Sequence, residues 1–170
     1  PEEIEALERA FRIGYDMHTL AMRMCRPGVV ERQIAGAIEG VAKSAGLGVS
    51  FPSIVSQHGE TLHNLRSDGV LEAGRLLLCD AGGEGFDNYC SDHTRTYPVS
   101  GRFTPIQREI YQIVLEAHDH VAAIVHAGMM YSDIHRAAYL KLAEGLAGIG
   151  LLRGSAEDAV AAGAMTLFMP

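Results

Sequence analysis

Apolar positions in the first part of the chain recur at spacings of three, four and seven residues, which is the period of an amphipathic helix. They are Ile4, Leu7, Phe11, Tyr15 and Met22. The pattern predicts a helix from Glu3 to Cys25 that ends at the breaker Arg26-Pro27-Gly28. A second helix is predicted from about Val30 to Ser44, with Gly46 beyond its end. Its apolar face would consist of Ile34, Ala37, Ile38 and Val41.

The period then changes to one that is typical of strands. The pattern predicts strands from Ser50 to Ser56, from Arg75 to Asp80 and from Tyr89 to Val99, with a loop over 57–70. The continuous apolar run Leu76-Leu77-Leu78 indicates that the second strand is covered on both faces. Only a short glycine-rich turn separates the second strand from the third. We therefore expect an antiparallel pair, because a parallel pair needs a longer crossover.

The last part of the chain returns to helical patterns. The capping box Thr104-Pro105-Ile106-Gln107 predicts a helix that continues to about His126. A further helix is expected from a cap at Ser132 or Asp133 to Ala147, and a short one after Ser155.

This order of elements predicts a mixed α/β protein of the α+β type, mainly an antiparallel sheet with covering helices. No linker rich in Pro, Ser or Gly divides the chain, so we expect one domain over 1–170. The sequence of two helices, strands and two helices suggests a pseudo-repeat. Its first half would be 1–101, and 102–170 would begin the second half. On this hypothesis the second half lacks its strands, and the chain is an incomplete domain.

Composition narrows the class of protein. The 170 residues are 48% hydrophobic and carry a formal net charge of −7. A chain with this negative charge and without a Lys/Arg stripe is expected to bind nucleic acid poorly. No apolar run approaches the ~20 residues of a membrane span. Three cysteines form neither a disulfide framework nor a CxxC motif, and no signal-peptide pattern begins the chain. We therefore expect a cytoplasmic protein without membrane or nucleic-acid partners.

Two carboxylates stand out in the predicted hairpin. If Asp80 and Asp92 are directly opposed, the turn centres on Phe86, and the two Cβ atoms lie about 4.5–5.5 Å apart on one sheet face. Their repulsion would be about 4 kcal/mol at 4 Å and an effective dielectric constant near 20. A shared proton, a nearby cation or bound metal would offset it. Alternatively, Asp80 begins a turn and Asp92 is solvated, or a bulge separates their faces.

Histidines and cysteines give weaker signals. His63 lies in the loop with His58, where an imidazole can be a ligand, an acid–base group, a donor to developing negative charge, or simply solvated. His93 should point away from Asp92, to the opposite face of the strand. Structural roles are expected for His18, His126 and His135, and core positions for Cys79 and Cys90.

Several motifs resemble one family in the right order. They are Phe51-Pro52-Ser53-Ile54-Val55, Leu62-His63-Asn64, Asp80-Ala81-Gly82-Gly83-Glu84, and the run from Ser91 to Thr104. The sequence resembles the M24 metallopeptidases, which have the pita-bread fold, and within them the aminopeptidase P and Xaa-Pro dipeptidase branch. The resemblance covers essentially the whole chain.

The resemblance implies metal-assisted hydrolysis of peptides with proline in the second position. Asp80 and Asp92 match two ligands of a pair of divalent ions, manganese first, with cobalt or zinc as alternatives. Asp92 would bridge both ions. His63 matches a catalytic histidine that contacts the substrate and supports the tetrahedral intermediate. A homodimer is also expected.

The resemblance also implies that ligands are missing. A His-Gly motif would follow Pro170, and two glutamates, one of them the proton acceptor, would lie further on. The chain itself should therefore bind metal weakly and hydrolyse nothing. Two other functions remain open: a non-catalytic pita-bread module that binds peptides or proteins, and a metal-free enzyme of the kind that hydrolyses creatine.

Overall fold

The chain divides into two compact units, Pro1–Arg102 and Phe103–Pro170. The computed structural model describes residues 1–168. Met169 and Pro170, after which the His-Gly motif is expected, lie outside the described residues. The single domain over 1–170, with halves 1–101 and 102–170, stays a prediction.

The first unit contains two helices and five short strands. They are α1 (Glu2–Met24), α2 (Glu31–Ala45), β1 (Gly48–Val49), β2 (Ile54–Ser56), β3 (Leu76–Ala81), β4 (Gly83–Glu84) and β5 (His93–Pro98). Strands β2, β3 and β5 form an antiparallel sheet in that order, and β1 pairs with β4, also antiparallel. The antiparallel pairing of the second and third predicted strands is therefore confirmed.

Helices α1 and α2 pack against one face of the sheet. Along β3, Leu77, Cys79 and Ala81 are buried and join a core that includes Met17 of α1 and Ile38 of α2. The intervening side chains of β3, from Leu76 to Asp80, are only half-buried. The expectation that β3 is covered on both faces is therefore wrong for the described residues. The helices cover one face, and the other is open enough to hold a site.

The buried face of α1 differs from the predicted one. Ile4, Phe11, Tyr15 and Met22 are 62%, 44%, 65% and 58% exposed. The residues that α1 buries instead are Ala6, Ala10, Ile13, Gly14, Met17, His18 and Ala21. This stripe has the same helical period but consists largely of small side chains, which allow the helix backbone to approach its neighbours closely. A pattern weighted by large apolar residues does not detect such a stripe.

The strand boundaries were also partly wrong. Of the predicted strand from Ser50 to Ser56, only Ile54–Ser56 is a strand, and the short β1 lies before it. Strand β5 begins at His93, just after Asp92. The chain leaves the main sheet beyond Ala81, because Gly83 and Glu84 pair with β1. The hairpin is therefore shared between two small sheets.

The second unit is helical in the residues described. Its elements are α3 (Pro105–Ile124), α4 (Tyr131–Gly148), α5 (Ala156–Ala161) and a 3₁₀ helix (Ala164–Leu167). Its core is formed by Ala117, Leu142, Ala143, Leu146, Ala156 and Met165. The capping box is confirmed, since Thr104 Oγ1 accepts from Gln107 N at 3.3 Å and Thr104 N donates to Gln107 Oε1 at 2.9 Å. Helix α4 begins at Tyr131 without a side-chain cap, so the predicted cap is wrong.

No helix within residues 1–168 combines the length and the apolar character that a membrane span requires.

Substitutions at two glycines, one in the closely packed hairpin and one on an open helix surface, should change the free energy of unfolding in opposite directions. A Cβ at Gly82 would overlap the carbonyl oxygen of Ser91 and lie 2.6 Å from Ser50 Oγ, whereas a Cβ at Gly36 in α2 meets nothing within 4 Å. We expect Gly82→Ala to lower the free energy of unfolding by about 1–3 kcal/mol or more. Gly36→Ala should raise it by about 0.5–1 kcal/mol. Urea unfolding measures both changes, and an unchanged midpoint for Gly82→Ala would contradict this packing.

Candidate metal centre

The two aspartates share the sheet face that the helices leave open. Asp80 is paired with Ile54 on one side and with Thr94 on the other. The predicted direct opposition of Asp80 and Asp92 is therefore wrong. The turn is longer than expected and centres on Asp87, as the bridge between Glu84 and Cys90 also indicates. A shift of two residues preserves the face of every side chain, so Asp92 remains on the side of Asp80, as its diagonal neighbour.

The two carboxyl groups interact. The pKa of Asp80 is raised from its ordinary value of 3.8, first because the group is partly buried. The hydrogen bond from Thr94 lowers this pKa, and the negative charge of Asp92 and a hydrogen bond between the two carboxyl groups raise it further. The structure therefore brings together the two aspartates that the sequence selected.

One oxygen of this pair has no protein partner. Asp80 Oδ1 is buried and accepts no hydrogen bond from the residues described. A buried carboxylate oxygen without a donor is unfavourable unless something else satisfies it. Hard divalent cations prefer such oxygens, and a carboxylate pair offers them without further rearrangement of the backbone. The donor set fits a divalent metal ion.

The described chain does not complete a metal site. Within residues 1–168, no group of three or more His, Cys, Asp or Glu side chains could hold a metal ion. Divalent ions of this kind take about six ligands, of which the aspartates supply a part. The other ligands would have to come from water, substrate or protein groups other than those described.

Two side chains from outside the hairpin hold the backbone on either side of Asp92. His18 Nε2 lies 2.8 Å from the carbonyl oxygen of His93 and 3.3 Å from that of Ala81. Because carbonyls only accept, Nε2 carries the proton, and Nδ1 accepts from the Tyr97 hydroxyl at 2.7 Å. On the other side, Ser50 Oγ donates to the carbonyl oxygen of Ser91 at 2.7 Å.

His18 thus has a structural role, as predicted, but its burial and its link to both aspartate strands are findings of the structure. Burial lowers its pKa, which favours the neutral ring that this hydrogen-bond pattern requires. Its position among the small buried residues of α1 was the signal that could have revealed it. His93 faces α1, where a Cβ at Gly14 would lie 2.6 Å from its ring, so its predicted orientation is confirmed.

The loop that carries His63 is attached to the same face. Ser56 is paired with Leu78, two residues from Asp80, and its Oγ accepts from His58 N at 3.0 Å and from Asn64 Nδ2 at 3.2 Å. The ring of His63 is exposed, and its backbone φ of +50° lies in the left-handed region. The loop also approaches the sheet, since a methyl group at Gly59 would lie 3.3 Å from Leu78 Cβ.

Two of the three cysteines are held in the thiol form, which is a poor nucleophile. Burial raises the pKa of Cys79 to about 12 and that of Cys25 to about 11. Cys79 is in the core, as predicted. Cys90 is exposed, so its predicted core position is wrong; it lies in the hairpin turn, before β5 begins.

An antiparallel sheet with helices on one face and paired carboxylates on the other agrees with the pita-bread fold of the aminopeptidase P structures that this chain matches. The profile of metallopeptidase family M24 matches residues 5–161, and the chain belongs to that family. It is 36% identical over 164 residues to an Xaa-Pro aminopeptidase from Escherichia coli, a match that covers 95% of this chain and 37% of the relative.

Solved structures agree with this assignment. A variant of Escherichia coli aminopeptidase P in complex with substrate superposes with a TM-score of 0.90 at 36% identity, and the zinc-substituted enzyme in complex with product gives the same values. Aminopeptidase PepP from Pseudomonas aeruginosa gives a TM-score of 0.92 at 32% identity, over 97% of this chain and 38% of that one. The chain thus spans less than two fifths of the length of the relatives it matches.

The raised pKa of Asp80 predicts a pH dependence in metal-free buffer. The pKa of Asp80 is higher in the folded protein than in the unfolded chain. The protein therefore loses stability as the pH rises from the unfolded-state pKa to the folded-state pKa of this group. Asp92→Asn removes one cause, so we expect this variant to be more stable than wild type at pH 7 and equally stable below pH 3.8. Thermal unfolding in chelator measures the difference.

Asp87→Asn is the matched control for this experiment. Asp87 lies in the same hairpin, but its carboxylate pairs with Arg9 at 2.7 Å. We expect no stabilisation from this substitution. A gain as large as that of Asp92→Asn would show that net charge, and not the carboxylate pair, controls stability.

Proposed function

We propose that this chain forms part of the active site of a metal-dependent peptidase that removes an N-terminal residue preceding proline. The observation that carries the proposal is the carboxylate pair on the open sheet face, in which Asp80 Oδ1 is buried without a hydrogen-bond partner among residues 1–168. The similarity to Xaa-Pro aminopeptidases over 95% of the chain supports the substrate class.

In this proposal, Asp80 and Asp92 would both serve as ligands for a pair of divalent ions. Manganese is the first candidate, with cobalt and zinc as alternatives. When bound, such ions polarise a scissile carbonyl and acidify the attacking water. Metal binding would also remove the cost of the carboxylate pair, because a cation stabilises the charged form that burial disfavours at Asp80.

His63 would act on the substrate and not on the metal. An imidazole N–H on an exposed loop can donate to the oxygen on which negative charge develops, and such donors stabilise the transition state more than the ground state. His18 and Ser50 would keep the carbonyls beside Asp92 in place, so that the ligand does not move when charge changes. A homodimer in the cytoplasm completes the proposal.

A non-catalytic peptide-binding module of the same fold is the second candidate. It is favoured by one observation: among the residues described, no three ligand side chains converge. The two candidates differ in metal dependence. A module needs no metal to bind a peptide with proline in the second position, whereas a peptidase without metal should neither bind it productively nor cleave it.

Metal binding by the 170-residue chain gives a first test. We expect isothermal titration calorimetry with Mn²⁺ to detect weak binding, with a Kd on the order of 10⁻⁴–10⁻³ M, which is the weak end of the range for Ca²⁺ sites built from oxygen ligands. Asp92→Asn should abolish it, and Asp87→Asn should not change it. Equal affinity in wild type and Asp92→Asn would exclude the carboxylate pair as the site.

Activity gives the second test, in the protein with its natural flanking sequence. We expect Asp92→Asn to abolish Mn²⁺-dependent cleavage of an Xaa-Pro peptide. His63→Ala should lower kcat by about 10²–10³-fold with metal content unchanged, as for loss of one oxyanion donor. His58→Ala, in the same loop, is the control and should retain activity. Loss of bound metal in His63→Ala would instead identify His63 as a ligand.

A further inference from the structure

A single buried carboxylate joins the two ends of the loop that carries His63. Glu31, the first residue of α2, is only 2% exposed. Its Oε1 accepts from the backbone N–H of Gln57 at 2.8 Å, and its Oε2 accepts from that of Gly69 at 3.0 Å. His63 lies between these two residues. The segment 57–69 is therefore a loop whose neck is closed by one side chain.

The backbone of α2 strengthens the same closure. Glu31 N donates to the carbonyl oxygen of Gly69 at 2.9 Å, and Arg32 N donates to that of Ser67 at 2.8 Å. A carboxylate at the beginning of a helix is also stabilised by the helix dipole. Both oxygens thus have charge-assisted partners, which is the condition under which a carboxylate is tolerated in a buried position.

Gln57 fixes the neck from the other side. Its Nε2 donates to the carbonyl oxygen of Val70 at 2.9 Å, and its Oε1 accepts from Glu72 N at 3.0 Å. The tip of the loop has a different character, because residues 58–63 are all exposed. A compact loop with a fixed neck and an exposed tip is an Ω-loop, a form that frequently carries function.

We infer that Glu31 is a positioning residue for His63, a role that rests on the proposed function. Loss of the neck would leave the imidazole on a loop with many conformations, and displacement of a catalytic group by about 1 Å costs on the order of 10²-fold in rate. Asp80, in contrast, lies in β3 and Asp92 lies directly before β5, so neither aspartate is held by the neck. Glu31 therefore acts on turnover and not on metal affinity.

Glu31→Gln is the test variant, in the protein with its natural flanking sequence. The amide keeps the size of the side chain, but its NH₂ group cannot accept from an N–H, so one neck hydrogen bond is lost. We expect kcat for an Xaa-Pro peptide to fall on the order of 10²-fold, with the Kd for Mn²⁺ within about twofold of wild type. Glu39→Gln, in the same helix, is the control and should change neither value.

A double-mutant cycle separates positioning from general stability. If Glu31 acts through His63, Glu31→Gln should change kcat by less than about twofold in the His63→Ala background, because the group it positions is absent. Fully multiplicative effects, or weaker Mn²⁺ binding in Glu31→Gln, would overturn the inference.

Gly69→Ala is the second variant, for use if Glu31→Gln fails to fold. Its methyl group would lie 2.8 Å from Glu31 Oε1 and displace the neck without removing the carboxylate. The same fall in kcat and the same cycle with His63→Ala are expected, and a normal kcat would overturn the inference. Inactive wild-type protein would overturn the proposed function itself, whereas active protein with an unimpaired Glu31→Gln variant overturns only the role of Glu31.

Discussion

Alternation of side chains along the β3–β5 hairpin is the constraint on which the site depends. Successive side chains of a strand point to opposite faces, so burying Leu77, Cys79 and Ala81 under the helices forces Asp80 to the other face. The same rule, applied through the register of the hairpin, brings Asp92 to that face. The pairing of β3 with β5 therefore places both the hydrophobic core and the carboxylate pair, on opposite faces of the sheet. The site cannot be moved without turning the core outward.

Carboxylate repulsion opposes this arrangement in the absence of a cation, and the rest of the hairpin compensates for it. Ser91 is fully buried and hydrogen-bonds Gly83, and its carbonyl oxygen accepts from Ser50. His18 joins the carbonyls that follow the two aspartates. These are neutral hydrogen bonds in the core, which do not weaken when the charge on the open face changes. These hydrogen bonds therefore keep the two carboxylates in place although they repel each other when no cation is bound.

The sequence predicted the elements better than their contacts. Helix ends marked by Pro27, Gly46 and Thr104 were found because caps and breakers act locally. The buried face of α1 was missed because more than half of its residues are alanine or glycine. The hairpin register was missed because the length of the turn depends on pairing with β1. The shared face of the aspartates survived this error, since a two-residue slip does not alter faces. Glu31 gave no signal, because its partners are backbone groups distant in sequence.

The candidate residues lie on elements of different stiffness, and this difference matches their chemistry. A metal ion tolerates little change in ligand geometry, and the two aspartates proposed as its ligands are placed in and beside a sheet. A side chain that donates a hydrogen bond to a substrate needs a position that the substrate can reach, and His63 lies on an exposed loop. Its backbone conformation is uncommon for residues other than glycine. Such a conformation persists only where neighbouring contacts hold it, which here are the Asn64–Ser56 hydrogen bond beside it and the closed neck below it. Rigidity of the two proposed metal ligands and controlled freedom of the histidine are therefore supplied by separate parts of the fold.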